Sequence, residues 1–215
     1  MAVNDVPTSV GQPRPPRQAV RADARRSIDA LLTAAAEVFS ASGVDAPVRQ
    51  ITAKAGVGAG TLYRHFPQRS DLIAAVFRHE VDACADAAPA LAAEYGPAEA
   101  LARWLRRFAG FIATKRGLSA ALHSGDPAYG SLPSYFQDRF VPVLGGLLGT
   151  AARAGEIRSD ADPMDLLRAV GNLALPAGDE NDDHTQRMVA LLVDGLRYGA
   201  GASAGAGTGT GTGAE

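Results

Sequence analysis

His123-Ser124-Gly125-Asp126 sets the three side-chain types of a hydrolytic triad side by side. Gly56-Val57-Gly58-Ala59-Gly60 is a glycine-rich run of the kind that can cradle a phosphate. Neither carries that chemistry. A triad needs groups that converge in space from separate elements, and no nucleophile elbow surrounds Ser124. A phosphate loop follows a strand with G-x-G-x-x-G spacing, and both are missing around Gly56. The four histidines fall at no metal-ligating interval, and the single cysteine, Cys84, admits neither an intrachain disulfide nor a multi-cysteine metal site. Cys84 reads as a small buried apolar residue. No catalytic residue, metal or cofactor is expected.

What remains is cationic. Residues 1–70 hold nine Lys/Arg and five Asp/Glu, hence +4; the rest hold twelve and eighteen, hence −6, and the sum is the formal charge of −2. A basic N-terminal third on an acidic remainder suits a nucleic-acid-binding head on a body kept off the polyanion. Ordinary surface variation would give the same imbalance, so charge alone does not decide. Arg14, Arg17, Arg21, Arg25 and Arg26 form a basic arm that can follow a phosphate backbone or enter a minor groove. Arg25 and Arg26, at the start of the first helical pattern, are the stronger candidates.

The elements that must position these residues are helices. Ile28, Leu31, Leu32, Ala35, Val38 and Phe39 recur at three- and four-residue steps, which predicts a helix from Asp23 to Ser42, ended by Gly43. Asp45 is the expected cap of a short helix reaching Ala55, and Pro47 its first-turn proline. Gly56 turns the chain with positive φ. A second short helix runs from Ala59 to His65, and Pro67 stops it. Further helices are expected from Arg69 to about Ala87 (with Pro89 ending or kinking it), Pro97 to Lys115, Gly117 to His123, Pro133 to Ala154, Asp162-Pro163 to Leu175, and His184 to Tyr198. The fold class is all-α, with about nine helices and no credible strand. Residues 1–20 read as a disordered basic arm, 21–68 as a three-helix DNA-binding domain, 69–198 as a helical body and 199–215 as a disordered Gly/Ala/Thr tail. No apolar run reaches the roughly 18 residues needed to cross a membrane. The N-terminus lacks a signal-peptide pattern, so a cytoplasmic location is expected.

Val48 to Phe66 has the order of a helix-turn-helix. Ile51, Ala55, Val57, Leu62 and Phe66 make a miniature core, and the second helix is free to enter a major groove. At this point the chain resembles the TetR family of repressors, from Gly43 through Phe77 with the preceding helix from Arg25. Ala55-Gly56-Val57-Gly58-Ala59-Gly60-Thr61-Leu62-Tyr63-Arg64-His65-Phe66-Pro67 follows the family pattern nearly residue for residue.

The resemblance implies roles. Tyr63 and His65 donate to phosphate oxygens. Thr61 meets a phosphate or a thymine methyl, and Gly60 lets the backbone approach closely. Arg69 replaces the family's usual lysine where a helix N-terminus and a cation hold one phosphate. Arg49 and Gln50 reach a phosphate or base edge. The chain departs from the pattern at Gly58, where a serine often caps, and at Ala59, where a long side chain often reads bases. Thr52 stands where alanine is usual, and Pro47 enters a segment one residue shorter than the commonest form. Sequence readout then leans on Arg49, Thr61 and Arg64, or on DNA shape.

The resemblance also implies a body that binds a small ligand and dimerises through its last two helices. Trp104, Phe108 and Phe111 share a helix face and line a pocket with His123, Tyr129, Tyr135, Phe136 and Asn172, or else are plain core. With no charged cluster dictating otherwise, the expected effector is an apolar or weakly polar small molecule. Gly145, Gly146 and Gly149 make room in their helix or permit close packing. Leu166, Leu167, Val170 and Leu173 form one stripe, and Met188, Leu191, Leu192 and Leu196 another. Two such helices per protomer make a four-helix homodimer interface, or else intrachain core. The expected protein is a repressor on a near-palindromic double-stranded DNA operator, released by its effector. A helical small-molecule binder or enzyme without DNA function is the alternative.

Overall fold

The computed structural model describes residues 17–114, 124–174 and 181–198, with side chains over 25–113, 124–174 and 183–198. The elements are α1 (Arg17–Ser42), α2 (Val48–Ala55), α3 (Ala59–His65), α4 (Arg69–Ala85), α5 (Ala88–Glu94), α6 (Pro97–Thr114), a 3-10 turn (Pro127–Tyr129), α7 (Leu132–Arg153), α8 (Pro163–Ala174) and α9 (Asn181–Arg197). No strand occurs among the described residues. None of their helices is long and apolar enough to cross a membrane. The helix expected over 117–123 lies outside the described residues.

The head is α1 to α3 with the start of α4. Leu31, Leu32, Ala35, Val38 and Phe39 of α1 are all buried, as their spacing requires. Gly43 ends α1 at φ 78°, its amide donating to the Phe39 carbonyl at 2.9 Å. Two boundaries differ from expectation. Helix α1 begins at Arg17, inside the segment read as an arm. Asp45 does not cap α2: Pro47 holds the N-cap position, and no side chain bonds there. A proline supplies a fixed φ but no acceptor side chain, so α2 starts on backbone geometry alone.

In the body, α4 and α6 pack on α7, while α8 and α9 pack on α6. Pro89 does not simply end α4. It sits in the first turn of a new helix, α5, where its missing N–H costs nothing. Pro142 is carried within α7. Asp162 caps α8 as expected, its carboxylate accepting from the Asp165 amide at 2.9 Å. A Cβ at Gly145 would meet the Pro163 ring, where α8 begins, at 3.7 Å, an ordinary van der Waals contact, so the packing of α7 on α8 does not itself demand glycine there.

Candidate nucleic-acid interface

Helices α2 and α3 are joined through Gly56, which takes the left-handed conformation (φ 67°, ψ 28°). A side chain there would be strained by about 1–2 kcal/mol. Ile51 and Leu62 are buried, Phe66 closes the cluster, and Ala55 and Val57 are half-buried against it. Thr52 is buried too, and its hydroxyl donates to the Arg49 carbonyl at 3.3 Å, so the polar atom is satisfied within the helix. Lys54 pairs with Glu37 and ties α2 to α1.

Burying Leu62 and Phe66 leaves the rest of α3 outside. Gly60 and Arg64, one turn apart, are exposed, as are His65 and Tyr63, the latter at 54%. Thr61 is half-buried. Arg49 and Gln50, on the first turn of α2, are exposed as well. Among the described residues, the side chains of Arg49, Gln50, Tyr63 and Arg64 make no hydrogen bond or ion pair. The motif thus presents two arginines, an amide, a phenol and an imidazole on a short scaffold fixed by its apolar side. Such groups donate to phosphate oxygens or base edges. Gly58 is the N-cap of α3 and offers no side-chain acceptor.

Three expected contacts stand differently. Arg25 and Arg26 are exposed, but they lie well inside α1 rather than at its start. Arg69 turns inward. Its Nε donates to the Val44 carbonyl at 2.5 Å, its Nη2 to the Ala46 carbonyl at 2.6 Å and also to Val44, and its guanidinium lies 5.8 Å from the centre of the Phe39 ring. The α4 N-terminus is capped from within, because Asp71 accepts from the Gln68 amide at 3.0 Å and Gln68 reciprocates. The guanidinium expected to share a phosphate with this N-terminus is thus engaged by the carbonyls of Val44 and Ala46. Arg69 is a brace that sets the α1–α2 turn, a role the sequence could signal only through a cation at the start of α4.

A second set of polar contacts ties α4 to α7. Tyr135 donates to Asp82 at 2.7 Å, and Arg139 bonds Asp82 at 2.6 Å and Asp86 at 2.7 Å. Arg78 donates to the Ser131 hydroxyl at 2.9 Å. Burial, then the Asp82 hydrogen bond, raises the Tyr135 phenol above its ordinary pKa, so it remains a donor. Sequence reasoning missed Asp82, Arg139 and Arg78, whose only signal was charge on two helices not known to touch.

The eight pocket candidates do not gather at one place. Trp104, Phe108, Phe111 and Phe136 do meet, in an aromatic cluster completed by Phe140, which was not anticipated. Trp104 and Phe108 are wholly buried and stacked at 5.7 Å, and the indole N–H donates to the Cys84 carbonyl at 3.1 Å. Tyr135 instead faces the Asp82 network. Tyr129 is buried at the head–body junction, where the 3-10 turn packs on α4 and the Arg69 charge acts on its phenol. Asn172 is exposed on α8, and His123 lies outside the described residues.

The dimer stripes also divide. Leu166, Leu167 and Val170 are buried within the chain, where α8 packs on α6, so they are core rather than a free face. Leu173, Met188, Leu192 and Leu196 are half-buried. Leu191 is 61% exposed and Tyr198 87% exposed, the two large apolar side chains that α9 and its end leave uncovered. A period identifies an apolar face but not whose core it covers.

Residues 31–76 match bacterial regulatory proteins of the tetR family, and residues 96–198 match the C-terminal domain of SbtR-like transcriptional regulators. A TetR transcriptional regulator of Streptomyces coelicolor is 42% identical, with a TM-score of 0.70 over 79% of this chain and 97% of that one. A TetR regulatory protein of Mycobacterium vanbaalenii is 35% identical, with a TM-score of 0.65 over 83% of this chain and 99% of that one. A regulator from Cytophaga hutchinsonii, 13% identical at a TM-score of 0.62, shares the fold. No curated protein matches. With both segments matched and two solved relatives covered almost end to end, the chain belongs to the TetR family of bacterial transcriptional regulators.

Proposed function

We propose that the protein is a homodimeric repressor that places α3 of each protomer in the major groove of a near-palindromic operator. The carrying observation is the exposed set Arg49, Gln50, Tyr63, Arg64 and His65 on a motif whose opposite side is buried. Tyr63, His65 and Thr61 serve as phosphate contacts, and Arg49 and Arg64 as the long side chains available to read bases. Ala59 and Gly60 offer no such reach, so part of the specificity comes from DNA shape. The protein works by binding rather than catalysis, and it works in the cytoplasm.

Release follows from the connection of head to body. Helix α4 carries Arg69 at its head end and Asp82 at its body end. A small molecule bound in the body that favours a shifted α4 would move the heads off the operator spacing. The operator must then disfavour that molecule to the same extent. Selection from random duplexes by the purified protein tests the DNA reading: a near-palindrome with half-sites about one helical turn apart is expected. Recovery of no sequence above bulk DNA would favour the alternative of a ligand-binding protein without DNA function.

The dimer is built on the outer faces of α8 and α9, with Leu191 and Tyr198 at its centre and Leu173, Met188, Leu192 and Leu196 around them. Leu191→Glu places a charge in that contact while leaving the intrachain core untouched. Sedimentation equilibrium is expected to show a monomer; an unchanged dimer would move the interface elsewhere.

A further inference from the structure

The groove between α5 and α6 is a second place where the fold concentrates cations. Its volume is about 410 Å³, lined by Ala87, Ala90 and Leu91 on one side and by Arg103, Arg106 and Arg107 of α6 on the other. The same helix turns Trp104, Leu105 and Phe108 into the core, so the arginines are what its outer face presents. They become a charged cluster against an apolar floor only once α5 folds beside them.

The nearby carboxylates do not neutralise the groove. Glu99 serves two arginines, lying 2.8 Å from Arg103 and 3.8 Å from Arg106. Glu94 stands beside the Tyr95 hydroxyl and raises its pKa, and Asp86 is paired with Arg139. Among the described residues, Arg107 meets a carbonyl rather than a carboxylate, donating to Ala83 at 3.2 Å. These contacts also hold the guanidiniums in place: Arg103 lies 3.8 Å over the Tyr95 ring, and Arg107 is tethered to the last turn of α4. Two planar forks beside an apolar floor are arranged for one anionic head and one short hydrocarbon tail. The volume is at the small end of ligand sites.

We propose that this groove binds a small amphipathic carboxylate, its head held by Arg106 and Arg107 and its tail laid on Ala87, Ala90 and Leu91. The site is separate from the aromatic cluster of the body and does not depend on the DNA-binding reading. Titration calorimetry of the full chain with octanoate, octanol and octylammonium tests it. Octanoate is expected to bind saturably, and the alcohol and the cation are not. The double variant Arg106→Glu/Arg107→Glu is expected to weaken octanoate at least about tenfold, by reversing the charge that its head meets. Ala90→Trp, which fills the floor without altering charge, is expected to do the same, and it carries the test if the charge reversal fails to fold. No saturable octanoate binding, equal binding of octanol, or octanoate binding unchanged in the folded variants would overturn the proposal.

Discussion

Phe108→Ala is expected to lower the unfolding free energy by about 3–5 kcal/mol, the cost of removing a fully buried aromatic ring and leaving a cavity. Phe108 is wholly buried and touches four other rings: Trp104 at 5.7 Å, Phe111 at 6.1 Å, Phe136 at 6.0 Å and Phe140 at 5.2 Å between centroids. Those rings come from α6 and α7, so no single side chain can swing in to fill the gap. A domain holds only about 5–15 kcal/mol in total, and the variant should sit near the edge of folding. Chemical denaturation followed by circular dichroism measures the loss. The size of the effect also decides what the cluster is. A ring bordering a ligand cavity has fewer partner atoms to lose, so a loss below about 1 kcal/mol would favour the pocket role over the core role.

Arg69→Ala is expected to cost about 2 kcal/mol of stability, since it strips two carbonyls of a charged donor in a half-buried place. It should also weaken operator binding by at least about tenfold, because the turn it braces sets where α2, and with it Arg49, sits. The informative partner is Arg69→Lys. Lysine restores a point charge but not a fork that reaches both Val44 and Ala46. If Arg69 acts as a brace, lysine leaves both stability and affinity low. If it acts as a phosphate contact, lysine restores the affinity. Denaturation and fluorescence anisotropy on the same preparations separate the two.

The head was far more legible than the body, for physical reasons. In the head, the apolar spacing of α1, the turn glycines and the glycine-to-phenylalanine run of α3 are local signals. Each dictates its own backbone, and Gly43 and Gly56 take the positive φ that their positions require. The inward contacts of Arg69 were not legible because its partners are carbonyls 23 and 25 residues away, and carbonyls leave no mark on sequence. In the body, Leu166, Leu167 and Val170 carry the same periodic signature whether they cover α6 or a second chain. Only the packing of α8 on α6 shows that they are core. Phe140 escaped notice because its ring meets those of α6 across a helix–helix contact that no local pattern encodes. Helix α5 was missed because proline reads as a break from one side and as a first-turn residue from the other.

The central claim is that the outward face of α2 and α3 grips DNA. Its most direct test is the salt dependence of operator affinity, measured by fluorescence anisotropy for the wild type and for Arg49→Ala/Arg64→Ala. Both side chains are exposed and make no hydrogen bond or ion pair among the described residues, so the variant should unfold at the wild-type temperature. Losing two base-reading guanidiniums should weaken operator binding by at least about tenfold while binding to bulk DNA falls less, and each phosphate that either cation also neutralises should lower the slope of log affinity against log salt by about 1. Unchanged affinity and an unchanged slope in a folded double variant would contradict the claim and place the DNA contact elsewhere.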